Sequence, residues 1–269
     1  ESLNYQYYPD SIETILENPK NYDKFNIDNL MGNYPIITFP QSLKVIQKST
    51  FEECSSLIEI VIPPSVISIC DYAFNGCFSL TQITIPSSVT EFGSHLFDGI
   101  QSLTIKGDIT FLADNLFQNC TSLENITLPP TLTKICNHVF SKCSSLNNII
   151  IPSSVTSIGE CVFNECTSLN DITIPPNVTE IGFSAFYGCS SLNEILILIT
   201  SPITSIIEAT FGQCSSLTHI TIPLSVTEIG VYAFSGCKSL KEIIIPSNVT
   251  SIGDYAFLGC ESLTKIEIP

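Results

Sequence analysis

The stretch Ser239-Leu240-Lys241-Glu242-Ile243-Ile244-Ile245-Pro246, continuing through Val249, Ile252 and Gly253 to Phe257 and Cys260, decides the fold, because it is one copy of many. The unit reads S-L-x-x-I-x-I-P-x-S-V-T-x-I-G-x-x-A-F-x-G-C. Its phenylalanine recurs at Phe51, Phe74, Phe97, Phe117, Phe140, Phe163, Phe186, Phe211, Phe234 and Phe257, in steps of 23, 23, 20, 23, 23, 23, 25, 23 and 23. A cysteine follows three residues after each of these, from Cys54 and Cys77 to Cys237 and Cys260, and only Ile100 breaks that column. A repeat of this length signals a stack of small units, each unable to bury its own apolar face.

Within a unit, triplets such as Ile83-Thr84-Ile85 and Ile172-Thr173-Ile174 put β-branched residues at period two, the pattern of a short strand. Proline closes it, as at Pro63, Pro86, Pro152, Pro175 and Pro246, since it has no N–H to give to a ladder. A second apolar pair follows, such as Val226 and Ile229, and then Gly230. Ala233-Phe234-Ser235-Gly236-Cys237 is too short for a helix and reads as an irregular or 3₁₀ turn on the opposite side of the coil. Eleven strands are expected to begin near residues 37, 60, 83, 103, 126, 149, 172, 195, 220, 243 and 266. At ~4.8 Å per neighbour they form one parallel sheet on the order of 50 Å long, with like residues stacked on like.

Two units depart from the frame. The one holding Ile100 lacks three residues, so that Leu103-Thr104-Ile105 becomes its strand and Lys106 stands in the proline column. The one after Ile195 gains two, with Leu198 where proline belongs. Both predict local bulges and not domain boundaries. Residues 1–36 read as a divergent, enlarged repeat or cap, with a short helix near Ile12–Leu16. Residues 37–269 read as a single continuous solenoid.

The unit resembles the BspA-like, treponemal-type leucine-rich repeat family. The resemblance is carried by L-x-x-I-x-I-P-x-S-V-T-x-I-G-x-x-A-F-x-G-C units from about Ile37 to Pro269. It implies a leucine-rich-repeat solenoid of about eleven repeats. It also implies secretion or display at the cell surface, and adhesion to host, matrix or other cell-surface proteins. No catalytic residue travels with the repeat, so a non-enzymatic protein without a cofactor is expected.

Charge narrows the class of partner. Ten basic residues, all lysine, face 26 acidic ones, for a net charge of −16. Phosphate recognition wants the guanidinium fork and a basic face, so this balance argues against nucleic acid and against an anionic membrane surface. The longest aliphatic run, Ile195 to Ile199, is far short of the ~18 residues of a membrane span.

Residues with chemical potential read as structural. Cysteines in one column point the same way and lack the geometry of a bridge, and their spacing is not that of a zinc site. They read as a buried, reduced ladder. Cys70 and Cys136 share the glycine column, three units apart. Cys161 lies one unit beyond His138 in the same column, but no orienting group or oxyanion donor accompanies that pair. His95, His138 and His219 read as surface histidines. The sequons at Asn119, Asn125, Asn177 and Asn248 matter only in a chain secreted by a eukaryote.

The outward strand columns carry the candidate site. One column reads Glu59, Gln82, Asn125, Asn148, Asp171, Glu194, His219, Glu242, Lys265. The mid-strand column reads Thr38, Val61, Thr84, Thr104, Thr127, Ile150, Thr173, Leu196, Thr221, Ile244, Glu267. A soluble face built of good strand formers accounts for both columns. An ice-binding Thr array is broken by Val61, Ile150, Leu196 and Ile244. The remaining reading is a protein-binding surface around Glu124, Asn148, Asp171, Glu194, His219 and Glu242, suited to a basic partner at the cell surface or in the matrix. An intracellular scaffold, or a solenoid that stacks end to end through Ile266 and Ile268 of the C-terminal repeat, are the alternatives.

Overall fold

The computed structural model describes residues 39–267. The strand expected near residue 37, the cap over residues 1–36, and Ile268 with Pro269 lie outside them. Each 23-residue unit closes one turn of a coil, and the coils stack with parallel strands. The first strand column comprises β2 (Glu59–Val61), β4 (Gln82–Ile85), β6 (Ser102–Gly107), β8 (Asn125–Thr127), β10 (Asn148–Ile149), β12 (Asp171–Thr173), β14 (Glu194–Leu196), β16 (His219–Ile220), β18 (Glu242–Ile244) and β20 (Lys265–Glu267). The first eight form one ladder and the last two another. The ladder opens after β16, where the Lys241 N–H reaches the Thr218 carbonyl only at 3.5 Å.

A second strand column was not anticipated. The V-T-x-I segment after each proline also pairs with its neighbours, in strands of two residues: β1 (Val45–Ile46), β3 (Ser68–Ile69), β5 (Glu91–Phe92), β7 (Phe111–Leu112), β9 (Lys134–Ile135), β11 (Ser157–Ile158), β13 (Glu180–Ile181), β15 (Ser205–Ile206), β17 (Glu228–Ile229) and β19 (Ser251–Ile252). The expectation of a single sheet is therefore corrected to two parallel columns per coil. This second column breaks between β5 and β7 and between β13 and β15, at the short and the long unit.

The A-F-x-G-C segment holds no helix. Its amides alternate between two acceptors. In one coil the Ser141 and Cys143 N–H groups turn back to the His138 and Phe140 carbonyls, while those of His138, Phe140 and Lys142 donate to Glu160, Val162 and Asn164 of the next coil. The turn is thus 3₁₀-like and sheet-like by turns, and leaves few backbone groups unpaired. Two residues in each such turn take positive φ, two before and two after the phenylalanine. The first is never glycine: it is Ser49, Tyr72, His95, Asn115, His138, Cys161, Ser184, Ala209, Tyr232 or Tyr255. A left-handed L-residue costs on the order of 1–2 kcal/mol, and the hydrogen bonds to neighbouring coils hold it there.

The core is a set of ladders. Phe51 to Phe257 stack face to face with centroids 5.0 Å apart at Phe97–Phe117 and 5.6 Å apart at Phe186–Phe211, so neither odd unit interrupts the stack. The thiols beside them are free, and buried from Cys54 to Cys237; Cys260, in the last coil, is only partly buried because no further coil covers it among the described residues. Their role is more specific than filling space. The Sγ–H of Cys77, Cys143, Cys166 and Cys189 donates to the carbonyl of Phe51, Phe117, Phe140 and Phe163, each in the preceding coil, at 3.0–3.1 Å. Where Ile100 breaks the column, Cys120 turns instead to the Asp98 carboxylate, 3.6 Å away.

The short unit corrects the expected register. β6 pairs Thr104 with Thr127 on one side, but Lys106, not Thr104, with Thr84 on the other. The strand has slipped by two residues between its neighbours. An even slip keeps Leu103 and Ile105 in the core. Gly107 allows it: a Cβ there would fall 2.1 Å from the Ile85 carbonyl oxygen. Asp108 closes the resulting gap by accepting the Ser87 N–H and hydroxyl at 2.6 and 3.0 Å.

Candidate functional site

The first strand column faces solvent with every second residue, and register fixes which side chains meet there. Asn148 pairs with Asp171, Asp171 with Glu194, and Glu194 with His219, so four of the six candidate residues form one continuous row. Glu242 occupies the same column beyond the opening in the ladder, opposite Lys265. Glu124 does not belong to this row. Asn125 pairs with Asn148, and Glu124 sits one residue earlier, with Asn147 and Asn170 along a shallow polar groove of about 360 Å³. All six are exposed.

Asp171 and Glu194 are neighbours across the ladder and form no ion pair among the described residues. Like charges directly opposite on paired strands are destabilising, so the row holds uncompensated negative potential. Beside it runs the mid-strand column, where Ile150 is 80% exposed, Ile244 60% and Leu196 49%. Thr127, Thr173 and Thr221 alternate with them. Single exposed aliphatics are ordinary; three aligned in one column are a feature that a purely solvated face does not need. The reading of that column as a broken threonine stripe missed its alternation, although the alternation stands in the sequence.

The other candidates resolve into structure. Cys161 and His138 are both turn residues with positive φ. Burial, with Glu160 adding to it, pushes the Cys161 thiol up and keeps it protonated, contrary to what a nucleophile needs. The Asp98 carboxylate accepts from His95 Nδ1 at 2.8 Å, and the His95 ring stacks on Tyr72 at 5.1 Å. Asn177 and Asn248 donate to the Ser153 and Leu224 carbonyls of preceding coils, which is the turn role expected of them. Among the described residues no group of His, Cys, Asp and Glu could hold a metal, and no helix is long and apolar enough to cross a membrane.

The BspA type leucine rich repeat model matches in six copies, over residues 29–105, 99–206 and 197–269. The chain belongs to this family. A solved leucine-rich repeat protein from Bacteroides ovatus is 32% identical, with 86% of this chain and 71% of that one covered at a TM-score of 0.62. The leucine-rich repeat protein of T. pallidum is 33% identical over 68% of this chain and 78% of its own, at 0.49. A leucine-rich cell surface protein from Faecalibacterium prausnitzii is 26% identical over 87% and 86%, at 0.45. No curated protein sequence matches. Repeat proteins of this kind are typically non-enzymatic and associated with surfaces and adhesion.

Proposed function

We propose that this BspA-type chain is a non-enzymatic adhesion module, secreted or displayed at the cell surface, that binds a protein partner through its first strand column. The observation that carries the reading is the exposed line Ile150, Leu196 and Ile244 beside the acidic row of Asp171, Glu194 and Glu242. Apolar side chains aligned on a sheet face supply contact area, and an acidic row, uncompensated at Asp171 and Glu194, supplies selectivity and speed of encounter. With a net charge of −16 over the whole chain, the partner surface is basic.

The test is surface binding of the purified chain to immobilised extracellular-matrix proteins of basic character, across a salt series. A variant carrying Asp171→Lys, Glu194→Lys and Glu242→Lys should associate more slowly and lose most of the salt dependence. Unchanged association by this variant would move the site elsewhere on the coil.

A further inference from the structure

We infer that the element of the partner seated on this face is a basic amphipathic α-helix, laid along the stacking axis and across the strands. This rests on the strand-face reading above and adds what the occupant must look like.

The mid-strand column has a period of two coils. Counted from Val61, the odd rungs are Thr84, Thr127, Thr173 and Thr221, and the last, opposite Ile244, is Glu267. The even rungs are Val61, then the slipped strand β6, then Ile150, Leu196 and Ile244. Two places depart from the alternation: the short unit, where Lys106 and Thr104 share the rung, and the last described rung, Glu267. Large and small side chains thus form teeth and notches that repeat every ~9.6 Å, twice the spacing of neighbouring strands.

That distance sorts the possible occupants. An extended strand presents side chains on one face every ~6.7 Å, so counted from Ile150 it meets Ile244 at its third step but misses the tooth between them, Leu196, by about 3 Å. An α-helix returns to the same face after seven residues, a rise of ~10.5 Å. From Ile150 to Leu196, within the continuous ladder, the helix advances ~10.5 Å against ~9.6 Å for the rungs, a mismatch of about 1 Å that side-chain rotamers absorb. A polyproline II turn, at ~9.3 Å, also has the right length, but such ligands dock in aromatic-lined grooves. The mid-strand column and the two outward columns before it contain no aromatic residue. Large aliphatic residues at every seventh position would fill the notches at Thr127, Thr173 and Thr221.

Charge fixes the flank. Asp171 and Glu194 lie on one side of the teeth and form no ion pair among the described residues, and Glu242 continues the row opposite Lys265. Lysine or arginine beside each seventh-position residue would meet them and relieve the repulsion between Asp171 and Glu194.

Two synthetic peptides of three heptads and identical Leu/Lys composition test this by fluorescence anisotropy against the full chain. One places leucine for a helical face, the other alternates leucine and lysine for a strand. The helical peptide should bind at least about tenfold more tightly than the alternating one. Its binding should fall by a similar factor in the notch-filled variant Thr127→Ile/Thr173→Ile/Thr221→Ile, whose circular dichroism should match that of the parent. Equal or tighter binding of the alternating peptide would overturn the helix while leaving the strand face as the docking surface. Failure of both peptides to bind, or binding indifferent to Ile150→Thr/Leu196→Thr/Ile244→Thr, would overturn the helix and the strand-face reading together.

Discussion

Removing one ring from the middle of the phenylalanine stack tests whether the ladder is the source of cohesion between coils. Phe140 is fully buried and lies between Phe117 and Phe163, with centroids at 5.4 and 5.5 Å and planes within 10°. Truncating a buried phenylalanine to alanine costs about 3–5 kcal/mol from lost transfer energy and the cavity left behind. Two stacked neighbours contribute ~0.5–1.5 kcal/mol each to that sum. The cavity cannot collapse easily, because backbone hydrogen bonds on both sides hold the neighbouring coils at fixed spacing. Phe257 supplies the control. Among the described residues it stacks on Phe234 alone, at 5.5 Å, and it is only half-buried. Phe257→Ala should cost about half as much, ~1.5–2.5 kcal/mol. Urea unfolding followed by circular dichroism, with the denaturant slope compared among the three proteins, reads both values. A Phe140→Ala protein within about 1 kcal/mol of the parent, or a Phe257→Ala protein equally damaged, would refute the argument that two-sided stacking sets the magnitude.

Thiol titration of the folded chain should be slow and that of the denatured chain should approach the twelve cysteines of the sequence; intact disulfides or stoichiometric zinc would contradict the ladder. Burial raises the Cys143 thiol to about 12 from an ordinary 9.0 and pushes Cys166, Cys189 and Cys214 up as well. Above the unfolded value the unfolded chain loses protons that the folded chain keeps, so stability is complete below pH ~9 and declines as pH rises beyond it. Cys166→Ser, which keeps a donor for the Phe140 carbonyl but does not titrate there, should make that alkaline decline shallower in pH-dependent melting. Gly182→Ala should destabilise by about 1–3 kcal/mol, because a Cβ there falls 2.4 Å from the Glu160 backbone nitrogen of the preceding coil; an unchanged melting temperature would show that the coils can separate locally. Glu194→Gln should raise stability by ~0.2–1 kcal/mol while weakening partner association, and a loss of stability would show that the row is compensated after all.

Much of this architecture was legible because each coil repeats the same demand. A residue buried in one unit is buried in the next, so the phenylalanine, leucine and isoleucine columns announced the core without any knowledge of contacts. What was not legible depended on backbone hydrogen bonds and not on side-chain periodicity. V-T-x-I carries β-branched residues, yet only two residues per coil pair, too few for alternation to show. The slip in β6 conserves the inward and outward pattern, so the sequence around Leu103 and Ile105 reads equally well in either register. The thiol-to-carbonyl bonds were hidden because a small buried side chain and a small buried donor look alike in one letter. At the candidate site, the acidic row was visible as a column, and Glu124 was misplaced by one position because its charge was weighed before its register.

The alternation of teeth and notches gives the array a parity. Every coil is interchangeable as a building block of the core, but on the strand face a coil is either odd or even. Excising one complete unit between Thr127 and Ile244 would leave the stack intact and bring two like rungs together at the junction, putting everything beyond it out of phase with what precedes. Excising two adjacent units would restore the phase and shorten the face by one full period. The natural quantum of length for the fold is therefore one coil, whereas the natural quantum for its recognition surface is a pair.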